Sequence, residues 1–211
     1  MLDITGTEIK RNIPSVTKEE LLKVLKSYIG KYNQEVPLYS AVKVGGRKLY
    51  EYARSGTPVI PPSKEVEVYS LELISDLKHI KGAVEFTIKC EVSKGTYIRS
   101  LIRDIAYSLN TYGTMKNLIR TRQGIFTLKD AYTLKDIEEN NYKLLSIKEC
   151  LPNIKTTVIE EPLLTKVKNG MVLDKFFKEN MSLLLDKEGK EIAIYIASGD
   201  NKVKPYKMIE V

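Results

Sequence analysis

Apolar positions recur along the chain at helical spacing first, then at strand spacing. The first helical signal opens at Thr17, where Thr17 and Glu20 form a capping box ahead of Leu21, Leu22, Val24, Leu25, Tyr28 and Ile29, with Gly30 as the expected stop. A second short helix fits residues 48–55, with Leu49, Tyr52 and Ala53 on one face and Gly56 after it; Pro58, Pro61 and Pro62 then impose a loop. From Val66 the pattern turns to strand. Over residues 83–92 it alternates, with Val84, Phe86, Ile88, Cys90 and Val92 on one side and Glu85, Thr87, Lys89 and Glu91 on the other, which predicts one half-buried antiparallel strand. Gly95 and Thr96 read as turn and cap for a helix through Tyr97, Leu101, Ile102, Ile105, Ala106 and Leu109 that closes near Asn110 and Gly113. Shorter helices are predicted over residues 115–119 and 133–139.

The texture changes at Leu151 and Pro152, the expected domain boundary. Beyond it, short apolar segments at 183–185 and 192–196 flank the turn Asp186, Lys187, Glu188, Gly189, and a last segment at 208–211 follows Pro205. This predicts a small strand-rich domain over residues 153–211.

Composition adds limits. The 211 residues can bury a real core, and a 43% hydrophobic, 29% charged composition is that of a folding chain. No apolar run approaches the roughly 20 residues of a membrane span. Asp3 and Glu8 interrupt the start where a signal-peptide core would lie, so the expected compartment is the cytoplasm. Two cysteines, Cys90 and Cys150, are too few for a disulfide framework or a zinc set, and both are expected as reduced, buried thiols. The single histidine, His79, removes most zinc chemistry, and a strand or turn position suits it better. Lys plus Arg exceed Asp plus Glu by 34 to 27, a net charge of +7 that suits a polyanionic partner.

Three segments concentrate chemistry. In the first, residues 34–43 should form a loop leading into a strand, and Tyr39 with Lys43, Arg47 and Lys48 offers a ring for a base and cations for its phosphates. The same residues also describe a half-buried loop tyrosine beside solvated lysines. In the second, Lys94, Gly95, Thr96, Tyr97, Ile98 and Arg99 lie where a strand ends and a helix starts. An arginine in a first turn opposes the helix dipole and needs an acidic or phosphate partner, or a plain surface salt bridge, for instance to Asp104. In the third, Leu118 to Gln123 sets apolar residues beside Arg120 and Arg122, which suits either phosphate contact or simple solvation.

In this order the three segments resemble the TruB family of tRNA pseudouridine synthases. Gln34, Pro37, Tyr39, Ser40, Ala41, Lys43 and Gly46, with Tyr50, Ala53, Arg54 and Gly56, look like its first motif. Lys94 to Arg99 looks like its K-G-T-Y-I-R segment, and Leu118, Arg120, Thr121, Arg122, Gly124 and Phe126 look like its third. The tail, with Asp186, Gly189, Lys204, Pro205 and Lys207, is similar to the small PUA-type domain that follows.

The resemblance implies an α+β fold, with a mixed, largely antiparallel sheet and flanking helices over residues 1–152 and a PUA-like β domain over 153–211. It implies that Tyr39 stacks on a flipped uridine, Tyr97 contacts the base, Arg99 pairs with a catalytic aspartate and Leu118 lines the pocket. Lys43, Arg47, Lys48, Lys94, Arg120 and Arg122 would meet the RNA. The partner would be a tRNA T-arm, no cofactor or metal would take part, and an intact protein is expected as a monomer.

The family's aspartate sits in a G-x-x-D-x-x-A-x-G segment that these 211 residues lack. Asp3, in the stretch Leu2 to Gly6, looks like a later L-D-x-T-G element instead. Asp104 lies about one and a half turns beyond Arg99 and faces away from it. Three readings follow: part of a synthase that is inactive alone, a non-catalytic RNA-binding module, or a guide-RNA-dependent relative. The Tyr39, Gly45, Gly46, Arg47 context argues against the last.

Overall fold

Helix α1 (Lys18–Ser27) starts where Thr17 and Glu20 cap it reciprocally. It ends before Gly30, at a right-handed cap on Tyr28, and Gly30 (φ 108°) instead opens strand β1 (Gly30–Glu35). The sequence expectation placed Gln34 and Glu35 in a loop. They finish β1, because six residues from Gly30 pair in register with Lys64–Val68 and their neighbours on the next long strand. A tight hairpin follows, β2 (Lys43–Val44) and β3 (Arg47–Lys48), turned by Gly45 and Gly46 at φ 57° and 83°. Two successive positive φ values suit the right-handed twist of a two-residue hairpin, and glycine adopts them without a Cβ penalty. Helix α2 (Leu49–Ser55) closes on left-handed Gly56, as its pattern predicts.

Strand β4 (Ser63–Leu73) is the centre of a three-stranded sheet, with β1 on one side and β7 (Ile88–Val92) on the other, all antiparallel. The alternating stretch expected as one strand is broken. Its first part, β6 (Ala83–Glu85), pairs with β5 (Lys78–Ile80), which carries His79; its second part returns to β4. Between them Thr87 accepts from the Ile74 N–H at 2.9 Å and donates its own N–H to Ser75 Oγ, so the chain changes partner there. Helix α3 (Ile98–Ser108) then packs against α1 and β1.

Residues 115–119 form no helix. Met115 spends its backbone groups in a parallel bridge with Asp3, accepting from Ile4 N–H and donating to Leu2 C=O. The core here is Val16, Leu21, Leu25, Val68, Leu71, Leu101 and Ile105, the inner faces of α1, β4 and α3.

The computed structural model describes residues 2–80, 82–199 and 201–209, and the chain divides into two compact units, residues 1–119 and 120–211. The division falls earlier than Leu151 and Pro152. In the second unit a short hairpin, β8 (Arg122–Gln123) with β9 (Phe126–Thr127), precedes helices α4 (Leu134–Glu138) and α5 (Ile147–Cys150). Both helices start in capping boxes, Thr133 with Asp136 and Ser146 with Glu149. None of residues 120–154 is buried.

Order by burial resumes with β10 (Lys155–Val158), helix α6 (Leu163–Lys168) and strands β11 (Leu173–Asp174), β12 (Met181–Leu185), β13 (Glu191–Ser198) and β14 (Lys202–Met208). The sheet order is β10-β12-β13-β14-β11. Its core is Ile159, Val167, Phe177, Leu184, Ile192, Ala193, Tyr195 and Val203. The last strand runs through Pro205 rather than starting after it. Proline is tolerated there because the register slips between Ile194 and Tyr195, leaving an irregular pairing that needs no N–H from it. Glu210 and Val211, the end of the expected last segment, lie outside the described residues. Cys90 and Cys150 are unpaired and half-buried rather than fully buried.

Leu101 is 0% exposed at the centre of the first unit's core. Leu101→Ala is expected to lower unfolding free energy by about 2–5 kcal/mol through the cavity it leaves, measured by denaturant unfolding of the full chain.

Candidate active site

The site is assembled where β1 ends and α3 begins. The joint between them is polar and specific. Gln34 is 1% exposed; its Oε1 accepts the Tyr97 N–H at 2.8 Å and its Nε2 donates to Tyr32 Oη at 2.5 Å. One residue on, the Glu35 carbonyl accepts from Ser100 Oγ at 2.9 Å, and its carboxylate pairs with Arg103 at 2.9 Å. Arg103 also pairs with Asp104 at 2.7 Å. Asp104 is thus engaged by Arg103, not Arg99. The Arg103 side chain is only 11% exposed, so this pairing is better shielded than the surface ion pairs elsewhere.

Tyr97 is the N-cap residue of α3, and no side chain caps the helix from within it. The cap expected at Thr96 is absent because its hydroxyl donates to the Ser93 carbonyl. Two residues into the helix, Arg99 reaches back and donates to the backbone carbonyl of Tyr39 at 3.0 Å. The structure therefore joins the first and second motif segments directly. Among the described residues no carboxylate lies within ion-pairing distance of Arg99.

Asp3 is occupied differently. Its carboxylate accepts from the Thr5 N–H at 3.0 Å and the Thr5 hydroxyl at 2.8 Å, and these bonds hold it below the usual carboxylate range, with a smaller pull from the Arg99 charge.

Tyr39 stands on an irregular loop and is 39% exposed, so its ring is available on one side. The loop is tied to α2, since Tyr50 N–H donates to the Ser40 carbonyl and Leu49 N–H to that of Val42. Cations cluster beyond it. Lys43 and Lys48 face each other across the β2–β3 hairpin, with Arg47 beside them. Like charges in facing positions repel, so this hairpin favours a polyanion that screens them. Arg47 stacks over Tyr52 at 4.7 Å, and Arg54 lies over Tyr50 at 5.3 Å.

Lys94 is exposed, as are Arg120 and Arg122, and Leu118 is 55% exposed. Arg120 and Arg122 belong to the second unit. No described contact ties Leu118 to Tyr39 or Arg99.

Gln34 appears in the first motif without a role, and Glu35, Ser100 and Arg103 carry no sequence-level expectation. The available signal was the i, i+4 spacing of Arg99 and Arg103, which sets both on one helix face. A polar cleft of about 450 Å³ lies beside this joint, lined by Tyr28, Tyr32, Glu35, Arg103 and Asp104 among others, and it does not include Tyr39, Tyr97 or Arg99. Among the described residues no group of three His, Cys, Asp or Glu could hold a metal, and no helix is long and apolar enough to cross a membrane.

Comparison with known families joins these parts. Residues 1–98 match the TruB family pseudouridylate synthase N-terminal domain, and residues 99–153 the tRNA pseudouridylate synthase B C-terminal domain. The chain belongs to the TruB family of pseudouridine synthases. A tRNA pseudouridine synthase B of Caldanaerobacter subterraneus subsp. tengcongensis is 37% identical over 98% of this chain and 72% of its own length. The protein of that name from Halalkalibacterium halodurans is 37% identical over 89% of this chain and 64% of its own, and that from Bacillus licheniformis 38% over 82% and 58%.

The chain thus spans about two-thirds of the length of these TruB relatives. In solved structures the α+β fold matches a Cbf5-Nop10-Gar1 complex at TM-score 0.58, with 20% identity over 95% of this chain and 63% of that one. It also matches an H/ACA RNP bound to a substrate RNA containing 2'-deoxyuridine at TM-score 0.60, with 18% identity over 95% and 64%.

Burial pushes the Tyr32 phenol up to about 12, against a smaller opposing pull from its Gln34 bond. The unfolded phenol ionises near 10.0. A folded-state value raised in this way favours the neutral, folded form, so its stabilising contribution is present below pH 10 and is lost as pH rises from 10 to about 12. Tyr32→Phe is expected to remove one late-ionising group from the tyrosinate absorbance titration and to flatten stability across that window.

Proposed function

We propose that this chain is the RNA-facing part of a tRNA pseudouridine synthase that isomerises the T-loop uridine, and that its 211 residues bind and orient the nucleotide without turning it over. The observation that carries this reading is the 3.0 Å bond from Arg99 to the Tyr39 carbonyl, which sets a guanidinium against the loop that presents an exposed aromatic ring. The target base must leave its stack to be reached. Tyr39 replaces the lost stacking, the cations of the β2–β3 hairpin and Lys94 hold the flanking phosphates, and Tyr97 contacts the base.

Isomerisation breaks the C1'–N1 bond, rotates the uracil and rejoins it through C5, so no atom is gained or lost. The resemblance assigns that step to an aspartate, with Arg99 as its partner. The geometry agrees in one respect: Arg99 uses a single backbone carbonyl and has donors left over. Leu118 would line the pocket, and Arg120 and Arg122 would meet the RNA.

Residues 1–152 are read as the synthase portion and 153–211 as a PUA-like module acting on the same RNA. The family match ends at residue 153, and the five-stranded sheet begins at Lys155. The setting is cytoplasmic, with no cofactor.

A second reading, a non-catalytic RNA-binding module, is favoured by the lack of a carboxylate at Arg99 among the described residues. The two share their binding behaviour and differ in the parent: a gene carrying the aspartate segment upstream supports the first.

Two outcomes are expected. T-arm RNA with tritium at uridine C5 releases no tritium with this chain, and sustained release would overturn the assignment of the reacting group to an aspartate outside it. Tyr39→Ala weakens T-arm RNA binding by about 1–3 kcal/mol, the size of one base-stacking contact; unchanged affinity in a filter-binding titration would leave Tyr39 without that role.

A further inference from the structure

We infer that Gln34 is a positioning residue of this site: its side-chain amide sets the first turn of α3, and so fixes where Tyr97 and Arg99 stand relative to a base stacked on Tyr39.

The need for such a residue comes from α3 itself. A helix N-terminus leaves its first N–H groups without partners, and acidic or hydroxyl side chains usually supply them. Helix α3 has neither: its N-cap Tyr97 brings no capping side chain, and its first turn holds no acidic residue. It carries Arg99 there instead, a cation at the positive end of the helix dipole. Left to itself this turn is poorly defined, yet it bears Tyr97, expected to contact the base, and Arg99, expected to pair with the aspartate.

Gln34 corrects this from 63 residues away. Its carbonyl oxygen accepts the Tyr97 N–H at 2.8 Å. The amide orientation is unambiguous, because Tyr97 N–H can only donate and so must face the oxygen. The amide nitrogen, in turn, is held by Tyr32 Oη. Tyr32 and Gln34 are two residues apart on β1 and therefore share one face of the strand. At 1% exposure, no water competes for the Gln34 amide.

The neighbouring bonds from Ser100 and Arg103 to Glu35 hold the first and second turns of α3 to the same strand end. Of these, the Gln34 bond is the one made to the backbone of the turn that carries Tyr97 and Arg99. Beyond the strand that supplies Gln34 the chain reaches Tyr39 five residues later, so one buried amide ties together the two halves of the site.

The effect on RNA rests on the functional reading above, whereas the effect on the α3 start does not, and two measurements on the full-length chain separate them. Hydrogen exchange at the Tyr97 amide reports the joint directly; fluorescence anisotropy with labelled T-arm RNA reports its consequence. Gln34→Met keeps the side-chain bulk and removes both polar atoms. It is expected to speed Tyr97 exchange and weaken RNA binding by roughly tenfold each, as for one lost hydrogen bond.

Ile105→Val, in the buried face of α3, is the control for general destabilisation and should leave both readouts within about twofold, as a small core deletion alters stability but not this bond. Should Gln34→Met fail to fold, Tyr32→Phe frees the amide with little loss of packing and should give the same changes at about threefold, a fraction of a full hydrogen bond. Unchanged Tyr97 exchange overturns the inference. So does faster exchange with unchanged RNA affinity. If the unmodified chain fails to bind T-arm RNA, the functional reading falls, while the exchange measurement still decides whether Gln34 sets the start of α3.

Discussion

A single buried amide governs how this molecule presents its chemistry. Gln34 has almost no contact with water, and its two polar atoms are each satisfied by one partner, Tyr32 Oη and Tyr97 N–H. A buried polar group is costly when it is unpaired and directional when it is paired. The apolar core under α1, β4 and α3 supplies the stability of the first unit, but such packing tolerates small rotations of a helix about its own axis. The Gln34 bond does not. It converts a packed helix into an aimed one, and the Glu35 contacts from Ser100 and Arg103 hold its first two turns to the same strand end.

Much of the fold was legible because its signals are local. The Thr17 and Glu20 capping box, the stop at Gly56 and the short helix near residues 133–139 each rest on residues close together in the chain, and each forms near where the spacing suggests. The misreadings arise where partners are distant. The stretch at 83–92 has a clean alternation over ten residues but splits between two sheets, because Thr87 is claimed by Ile74 and Ser75. Met115 has helical neighbours by composition, yet its backbone is taken by Leu2 and Ile4. Pro205 reads as a strand breaker and lies inside β14, since a register slip on β13 removes the demand for its N–H.

The site shows the same split. Tyr39, Arg99 and the hairpin cations could be named from residue type and motif order, and the structure brings Arg99 to the Tyr39 backbone. What the sequence could not express is the layer that holds them. Gln34, Glu35, Ser100 and Arg103 meet across separations of more than sixty residues, and only the helical spacing of Arg99 and Arg103 hints at any of them. The facing pair Lys43 and Lys48 is also visible only once the hairpin register is known. It turns a generic excess of basic residues into a local concentration of charge that a polyanion would relieve.

Residues 120–154 live by another rule. None is buried, although Ile125, Phe126, Leu128, Leu134 and Leu144 are among them. Helices α4 and α5 are held at their starts by Asp136 and Glu149 against Thr133 and Ser146, and by Glu191 accepting two N–H groups of α5. The Lys143 ammonium beside Glu149, with Ser146, holds that carboxylate down to about 2. The free energy of opening this stretch is accordingly set by a few hydrogen bonds rather than by a core, which places it low in the order of local unfolding. A segment of that kind keeps its conformation cheaply and surrenders it cheaply, so it can reshape against a surface without asking either hydrophobic core to move.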